Sequence, residues 1–146
     1  MINDLKTFVN RLRKSNLRPT KQRVTICKVL FDRKDTFHFT VEKLKKIIEK
    51  NTRSKISLAT VYNTVHAFKK KAYLKEISIN SDKSYFDTNT SKHHHFYDED
   101  TQELIDCDEN HIEPVNVKKN ITGKKINSVE VLVKVASDNQ TQKKFN

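Results

Sequence analysis

The chain has 146 residues, with 29 Lys and Arg against 18 Asp and Glu, and a formal net charge of +11. That length suits one ordinary domain or two small ones. No run of about 18 apolar residues could span a membrane, and the first residues have no apolar signal-peptide segment. The two cysteines, Cys27 and Cys107, do not predict a disulfide framework, so we expect a cytoplasmic protein.

The net charge is unevenly distributed along the chain. Residues 1–75 carry 20 basic and 5 acidic side chains, a net charge of +15. Residues 76–146 carry 9 basic and 13 acidic side chains, a net charge of −4. A basic half joined to an acidic half indicates two modules with different partners, the first suited to nucleic acid.

The first half is predicted to be helical. Apolar residues with a helical period open the chain, at Leu5, Phe8, Val9 and Leu12. Each of three later helices begins behind a residue that is suited to cap it: Thr20, Thr40 and Ser57. The last of these helices, residues 57–71, has an apolar stripe at Leu58, Val61, Val65, Phe68 and Ala72.

A predicted β-hairpin follows the fourth helix. Residues 74–79 and 84–87 have strand-like patterns, and residues 80–83 have turn chemistry. Helices followed by a hairpin are typical of the winged helix-turn-helix, in which the last helix enters the major groove. Lys69–Lys71 at the end of that helix could meet phosphates, although lysines at a helix end are often only solvated.

The second half is predicted to form strands around one short helix. The strands are placed at residues 93–97, 103–107 and 129–136, with a tight turn at 98–102. A helix is predicted over 110–119, starting near Pro114, and Gly123 would stop it. The fold class is therefore α/β (α+β), with a polar tail at 137–146.

A run of three histidines is the most unusual stretch. In a strand His93 and His95 share one face, where two imidazoles can bind one divalent ion, while His94 points to the other face. Such a run can also be an exposed tract without function. His93 and His95, together with His38, Asp87 and Asp106, offer three imidazoles and two carboxylates. This nitrogen and oxygen set suits iron, manganese, cobalt or zinc.

Four stretches of the chain resemble the ferric uptake regulator (Fur) superfamily, over about residues 10–136. They are Leu17-Arg18-Pro19-Thr20 with Arg23, His38 with Thr40, Glu42 and Leu44, Ser57-Leu58-Ala59-Thr60-Val61-Tyr62-Asn63-Thr64, and Lys83-Ser84-Tyr85-Phe86-Asp87 with His93 and His95. The resemblance implies a homodimeric transcription regulator with a winged-helix DNA-binding domain at 1–86. It also implies an α/β dimerisation and sensing domain at 87–136.

The same resemblance assigns the functional residues. It implies a regulatory metal site for iron, manganese or zinc at the hinge between the domains, formed by His38, Asp87, His93, His95 and Asp106. It implies that Tyr62 contacts bases of double-stranded, AT-rich operator DNA. The full set of candidate DNA-contacting residues is Lys21, Arg23, Ser57, Thr60, Tyr62, Asn63, Lys69 and Lys70.

The chain departs from most relatives at their four-cysteine structural zinc site. The positions of the first cysteine pair hold Asp98 and Thr101, and Val135–Asp138 contains no cysteine. A four-thiolate zinc site is therefore excluded. Asn63 also stands where many relatives have arginine.

One branch of the superfamily, the iron response regulators (Irr) of alphaproteobacteria, shares the missing cysteines and a similar histidine run. That branch senses haem, and the candidate haem ligands here are His93, His94 and His95. A weaker second metal site could use His94, His111 and Glu113.

The resulting prediction is a sequence-specific regulator of iron or haem homeostasis that haem releases from DNA, without enzymatic activity. The nearest alternative is a metal-responsive repressor of the Fur or PerR type, activated by iron or manganese. The alternatives from other classes are a constitutive basic nucleic-acid-binding protein and a metal-dependent hydrolase or nuclease.

Overall fold

The computed structural model describes residues 4–138, which divide into two compact units between Thr90 and Ser91. The helices of this range are α1 Leu5–Lys14, α2 Lys21–Phe31, α3 Val41–Thr52 and α4 Leu58–Lys70. Its strands are β1 His38–Phe39, β2 Lys75–Ser78, β3 Ser84–Asp87, β4 His94–Asp98, β5 Glu103–Cys107 and β6 Leu132–Val135. Among these helices none has the length and apolar character that a membrane span requires.

The helices of the first unit start at the predicted capping residues. The side-chain oxygen of Thr20 accepts a hydrogen bond from the Arg23 backbone N–H at 3.3 Å. Thr40 accepts one from Lys43 at 3.1 Å, and Ser57 caps α4 in the same way. Each cap satisfies an N–H group that has no partner inside its helix, and this fixes where the helix begins.

Helix α4 packs one face into the core of the first unit. Val61, Thr64, Val65 and Phe68 are fully buried, beside Phe8 and Leu12 of α1. Leu58 was predicted in this stripe but is 45% exposed. Thr64 is buried instead, because its hydroxyl donates a 2.7 Å hydrogen bond to the Thr60 carbonyl oxygen and needs no solvent.

A three-stranded sheet completes the first unit, in the order β1-β3-β2. The hairpin of β2 and β3 was predicted, whereas β1 was not. Strand β1 pairs antiparallel with β3, so that His38 lies opposite Asp87 and Phe39 lies opposite Phe86. The helices, the hairpin and this extra strand confirm the mixed α/β class with a winged helix-turn-helix first.

The first unit extends a few residues beyond position 86, where the sequence placed its end. The Thr88 N–H donates to the Phe37 carbonyl oxygen at 3.1 Å, and the Phe37 N–H donates to the Thr88 hydroxyl at 2.9 Å. These two bonds continue the β1–β3 pairing past Asp87, which keeps Thr88 with the first unit.

In the second unit β4 is the central strand of the sheet order β5-β4-β6. It pairs antiparallel with β5, with His95 opposite Asp106, and parallel with β6, with His95 opposite Leu132. The predicted tight turn between β4 and β5 is held by the Asp98 carboxylate, which accepts from the N–H groups of Asp100 and Thr101.

The helix predicted over 110–119 is wrong. The structure has only a 3₁₀ turn at Glu109–His111, and Gly123 lies in a turn with φ +76° that ends no helix. Val115 and Val117 are each nearly half exposed. A short helix that buries no apolar face within its own unit is marginal in water, which accounts for its absence here.

The predicted polar tail begins at Ser137, and residues 139–146 of it lie outside the described range, as do residues 1–3. The Ser137 N–H donates to the Asp100 carboxylate at 2.6 Å. Hydrogen bonds from Ser137 hold the pKa of Asp100 below its ordinary value.

Both cysteines are free and buried. Burial raises the pKa of the Cys27 thiol to about 12, so this side chain behaves as an apolar group in the core.

Candidate metal ligands and nucleic-acid interface

Three predicted ligands converge in the second unit. His93 and His95 are 7% and 4% exposed, and their Nε2 atoms lie 2.9 Å apart. The Asp106 Oδ1 atom lies 3.1 Å from the first nitrogen and 3.2 Å from the second. Alternation along β4 and the β4–β5 register bring these atoms together, as the sequence predicted.

The chemistry of these three atoms fits a divalent ion. The Nδ1 atom of His93 lies 2.8 Å from the Ser91 carbonyl oxygen, which requires Nδ1 to carry the proton and leaves Nε2 with a lone pair. A metal ion would also use the lone pairs of His95 Nε2 and Asp106 Oδ1, and the three atoms lie within 3.2 Å of one another. Ligand atoms about 2.1 Å from an ion and at right angles are about 3.0 Å apart, close to the spacing found.

The other two predicted metal ligands form a pair in the first unit. His38 Nε2 lies 3.0 Å from Asp87 Oδ2, across the β1–β3 pairing. Asp87 is fully buried, and its second oxygen accepts from the Asn89 N–H at 2.8 Å. A buried carboxylate is costly unless it is paired with a cation or with hydrogen-bond donors. The Asn89 N–H is such a donor, and the His38 ring lies within hydrogen-bond distance of the other oxygen.

His94 lies on the opposite face of β4 from His93 and His95. Its Nδ1 atom accepts a hydrogen bond from the Val131 N–H at 3.0 Å, which leaves Nε2 as the free ring position. A cavity of about 340 Å³, lined by His93, His94, Val115 and Val129 among others, adjoins this ring.

The weaker second metal site is not assembled. Within residues 4–138 the structure does not gather His94, His111 and Glu113 into a ligand group. His111 and Glu113 are exposed on the segment where the predicted helix does not form.

The outward face of α4 has the features predicted for groove contact. Tyr62 is 50% exposed, and Asn63 and Lys70 are also exposed. The Tyr62 ring is tilted against the His66 ring, with centroids 4.1 Å apart. No periodicity in the sequence distinguishes His66 from its neighbours on this face.

Several candidate DNA-contacting residues already have partners in the first unit. Lys69 Nζ lies 2.7 Å from the Glu76 carboxylate on β2, so it ties α4 to the hairpin. Arg23 donates to the Arg18 carbonyl oxygen at 3.0 Å. The hydroxyl groups of Ser57 and Thr60 bond each other at the start of α4, and Lys21 is exposed at the start of α2. The sequence offered one signal for this ion pair: Lys69 and Glu76 carry opposite charges on the two sides of the short connection between α4 and β2.

Known proteins share this architecture. The ferric uptake regulator family matches residues 14–135. The peroxide-responsive repressor PerR of Staphylococcus epidermidis is 30% identical over 103 residues, which cover 70% of this chain and 67% of that protein.

Two solved structures show the same fold at low sequence identity. The Helicobacter pylori ferric uptake regulator, described with three functional metal-binding sites, has a TM-score of 0.66 and 16% identity, covering 97% of this chain and 95% of that one. The Pseudomonas aeruginosa ferric uptake regulator with manganese has a TM-score of 0.64 and 20% identity, covering 90% and 98%.

A helical unit with a β-hairpin wing, joined to a unit with converging histidine and aspartate ligands, defines a metal-responsive transcription regulator. The chain belongs to the ferric uptake regulator family, since that family matches most of its length. Proteins of this family are dimeric regulators that bind DNA and metal.

Proposed function

We propose that this chain is a repressor of the Fur or PerR type, which binds operator DNA more tightly when it holds a divalent ion such as Fe²⁺ or Mn²⁺. The observation that carries the proposal is the convergence of His93 Nε2, His95 Nε2 and Asp106 Oδ1 within 3.2 Å. The likeness to PerR, a peroxide-responsive repressor, favours this function over haem sensing.

The proposed ion is held by both ligand groups together. Asp87 and His93 are six residues apart in sequence, on either side of the Thr90–Ser91 boundary, so one ion can use ligands from both units. Such an ion would supply positive charge to Asp87 and Asp106 and restrict the connection between the units. By thermodynamic linkage, the ion raises DNA affinity only to the extent that it binds more tightly to the conformation of the protein that binds DNA.

DNA binding is assigned to the first unit. Residues 1–75 carry a net charge of +15, and α4 presents Tyr62, Asn63 and Lys70 to solvent. We expect a homodimer on an AT-rich duplex with two half-sites, as a symmetric protein requires. Exposed apolar side chains of the second unit, including Val115, Val117 and Ile105, suit contact with a second copy.

The proposed function is tested with two DNA probes. The selected duplex is the sequence that the Mn²⁺-loaded protein enriches from a random pool, and the scrambled duplex has the same bases in another order. We expect Mn²⁺ to tighten binding to the selected duplex by about 5- to 150-fold over EDTA, the usual range of allosteric coupling. Mg²⁺ is the control, because it prefers oxygen ligands. Equal affinity with Mn²⁺ and EDTA, or no enriched sequence, would contradict the proposal.

Haem sensing is kept as a second candidate because His94 lines a cavity of about 340 Å³ and uses Nδ1, not Nε2, to accept from the Val131 N–H. It predicts a Soret band on haem titration, with loss of DNA binding as the band saturates. A His94→Asn variant that abolishes both effects would favour it over the repressor that Mn²⁺ activates.

Lys70 is expected to contact phosphate without contributing to sequence recognition. Lys70→Ala should weaken binding to the selected and scrambled duplexes alike and reduce the salt slope by about 1, because one fewer counterion is released. Lys69→Ala is the matched comparison, and its effect should be smaller because Lys69 is already paired with Glu76. Fluorescence anisotropy over a range of NaCl concentrations measures both. A Lys70 variant that loses affinity only for the selected duplex would contradict this role.

A further inference from the structure

A series of four aromatic rings runs from the strand positions next to the ligand pair of the first unit to the exposed face of α4. Phe39 and Phe86 follow the His38–Asp87 pair in the β1–β3 register, and their rings lie 5.8 Å apart. The Phe86 and His66 rings meet edge to face, with centroids 5.7 Å apart and an interplanar angle of 78°. His66 then lies against Tyr62 at 4.1 Å.

The two ends of this series differ in burial. Phe39 and Phe86 are 0% and 3% exposed, so neither ring can move without moving its neighbours. Tyr62 is half exposed on the face expected to meet bases, where its ring would otherwise rotate freely. His66 is half-buried between them and is the contact that limits the Tyr62 ring on this side.

We propose that His66 is a positioning residue, which holds the Tyr62 ring for base recognition and transmits changes at the His38–Asp87 pair to it. The inference rests on the proposed function, because it takes Tyr62 as a base-contacting residue and His38 and Asp87 as metal ligands. The Phe39 and Phe86 rings lie on the opposite face of the β1–β3 pair from the His38 and Asp87 side chains, so a shift of the two ligands reaches the rings through the strand backbone. The close-packed rings pass that displacement to His66 and then to Tyr62.

The contact depends on ring shape and not on a hydrogen bond. His66 meets Phe86 edge to face and Tyr62 in a tilted arrangement, and both geometries are open to any flat ring of similar size. Phenylalanine at position 66 should therefore preserve the function, whereas alanine should remove it.

Variants of the full-length protein test this role. In EDTA, His66→Ala is expected to lower the ratio of selected to scrambled affinity by about fivefold or more. That loss is a sizeable part of the sequence discrimination that one good base contact contributes. The Mn²⁺-induced gain in affinity should fall by at least about threefold, while Mn²⁺ affinity without DNA stays within about twofold of wild type. His66→Phe should keep both values within about twofold of wild type.

Two further measurements separate positioning from a general loss of structure. Lys46→Ala, an exposed change on α3 outside the set of candidate DNA-contacting residues, should leave the affinity ratio unchanged. The Tyr62 ring signals in a ¹H–¹³C NMR spectrum should shift on Zn²⁺ binding in wild type and in His66→Phe, but much less in His66→Ala. This second readout does not involve DNA.

The inference is overturned if His66→Ala keeps the wild-type ratio and Mn²⁺ gain, or if His66→Phe is as impaired as His66→Ala. A wild-type protein without any Mn²⁺ effect on DNA affinity would instead contradict the proposed function. The affinity ratio in EDTA would still decide in that case whether His66 positions Tyr62.

Discussion

Replacing His95 with alanine is expected to remove the Mn²⁺-dependent gain in affinity for the selected duplex. The His95 Nε2 atom lies 2.9 Å from His93 Nε2 and 3.2 Å from Asp106 Oδ1, so the change removes one of three converging donors. Loss of a group that merely supports a metal ligand costs about 10- to 100-fold in affinity, so loss of a ligand should cost roughly 100-fold or more. Isothermal titration with Mn²⁺ and DNA binding with and without Mn²⁺ measure the two effects.

The adjacent residue on the same strand provides the matched control. His94 points to the other face of β4, and its Nδ1 atom accepts from the Val131 N–H. His94→Asn keeps an acceptor for that N–H group and should preserve both Mn²⁺ affinity and the Mn²⁺ effect on DNA binding. If His95→Ala keeps the wild-type Mn²⁺ response, the proposed metal site is wrong.

Replacing Tyr62 with alanine is expected to remove sequence discrimination while leaving affinity for the scrambled duplex within about twofold. Tyr62 is half exposed on α4, while the fully buried Val61 and Val65 anchor the opposite face of that helix. A good base contact contributes about 1–3 kcal/mol of discrimination, which corresponds to about 5- to 150-fold in the ratio of the two affinities. Competition binding with both duplexes measures that ratio.

A conservative variant separates the two parts of the tyrosine. Tyr62→Phe keeps the ring that packs against His66 and removes only the hydroxyl group. Retained discrimination in this variant would assign the contact to the ring, and lost discrimination would assign it to the hydroxyl. Equal weakening on both duplexes in Tyr62→Ala would contradict the placement of α4 in the groove.

Local signals in the sequence were sufficient for much of the first unit. The starts of α2, α3 and α4 follow from Thr20, Thr40 and Ser57, because a cap is a hydrogen bond between residues three apart. The hairpin of β2 and β3 follows from the alternation and the turn residues between them. Strand β1 has only two residues and no periodicity, so its existence depends on pairing with β3.

The second unit shows what local pattern cannot supply. The helix predicted over 110–119 does not form, and Val115 and Val117 in that segment remain exposed. The predicted burial of Leu58 was wrong for a related reason. The face of α4 that packs into the core includes Thr64 and leaves Leu58 exposed. Burial is decided by the neighbouring elements, and a single segment does not contain that information.

The placement of the three candidate ligands of the second unit was predictable because strand geometry determines it. Alternation puts His93 and His95 on one face, and a short turn brings Asp106 opposite His95. The bond from His93 to the Ser91 carbonyl oxygen was not predictable, because it depends on the backbone path before β4. The Lys69–Glu76 ion pair likewise required the position of β2 beside α4.

The strand order of the second unit has a consequence for the newly made chain. The first unit is complete at Thr90, whereas β4 acquires its parallel neighbour only when Leu132–Val135 has been synthesised. At about 5–20 residues per second the ribosome needs a few seconds to add those residues. A nascent chain is therefore able to fold its first unit before the sheet of its second unit is complete.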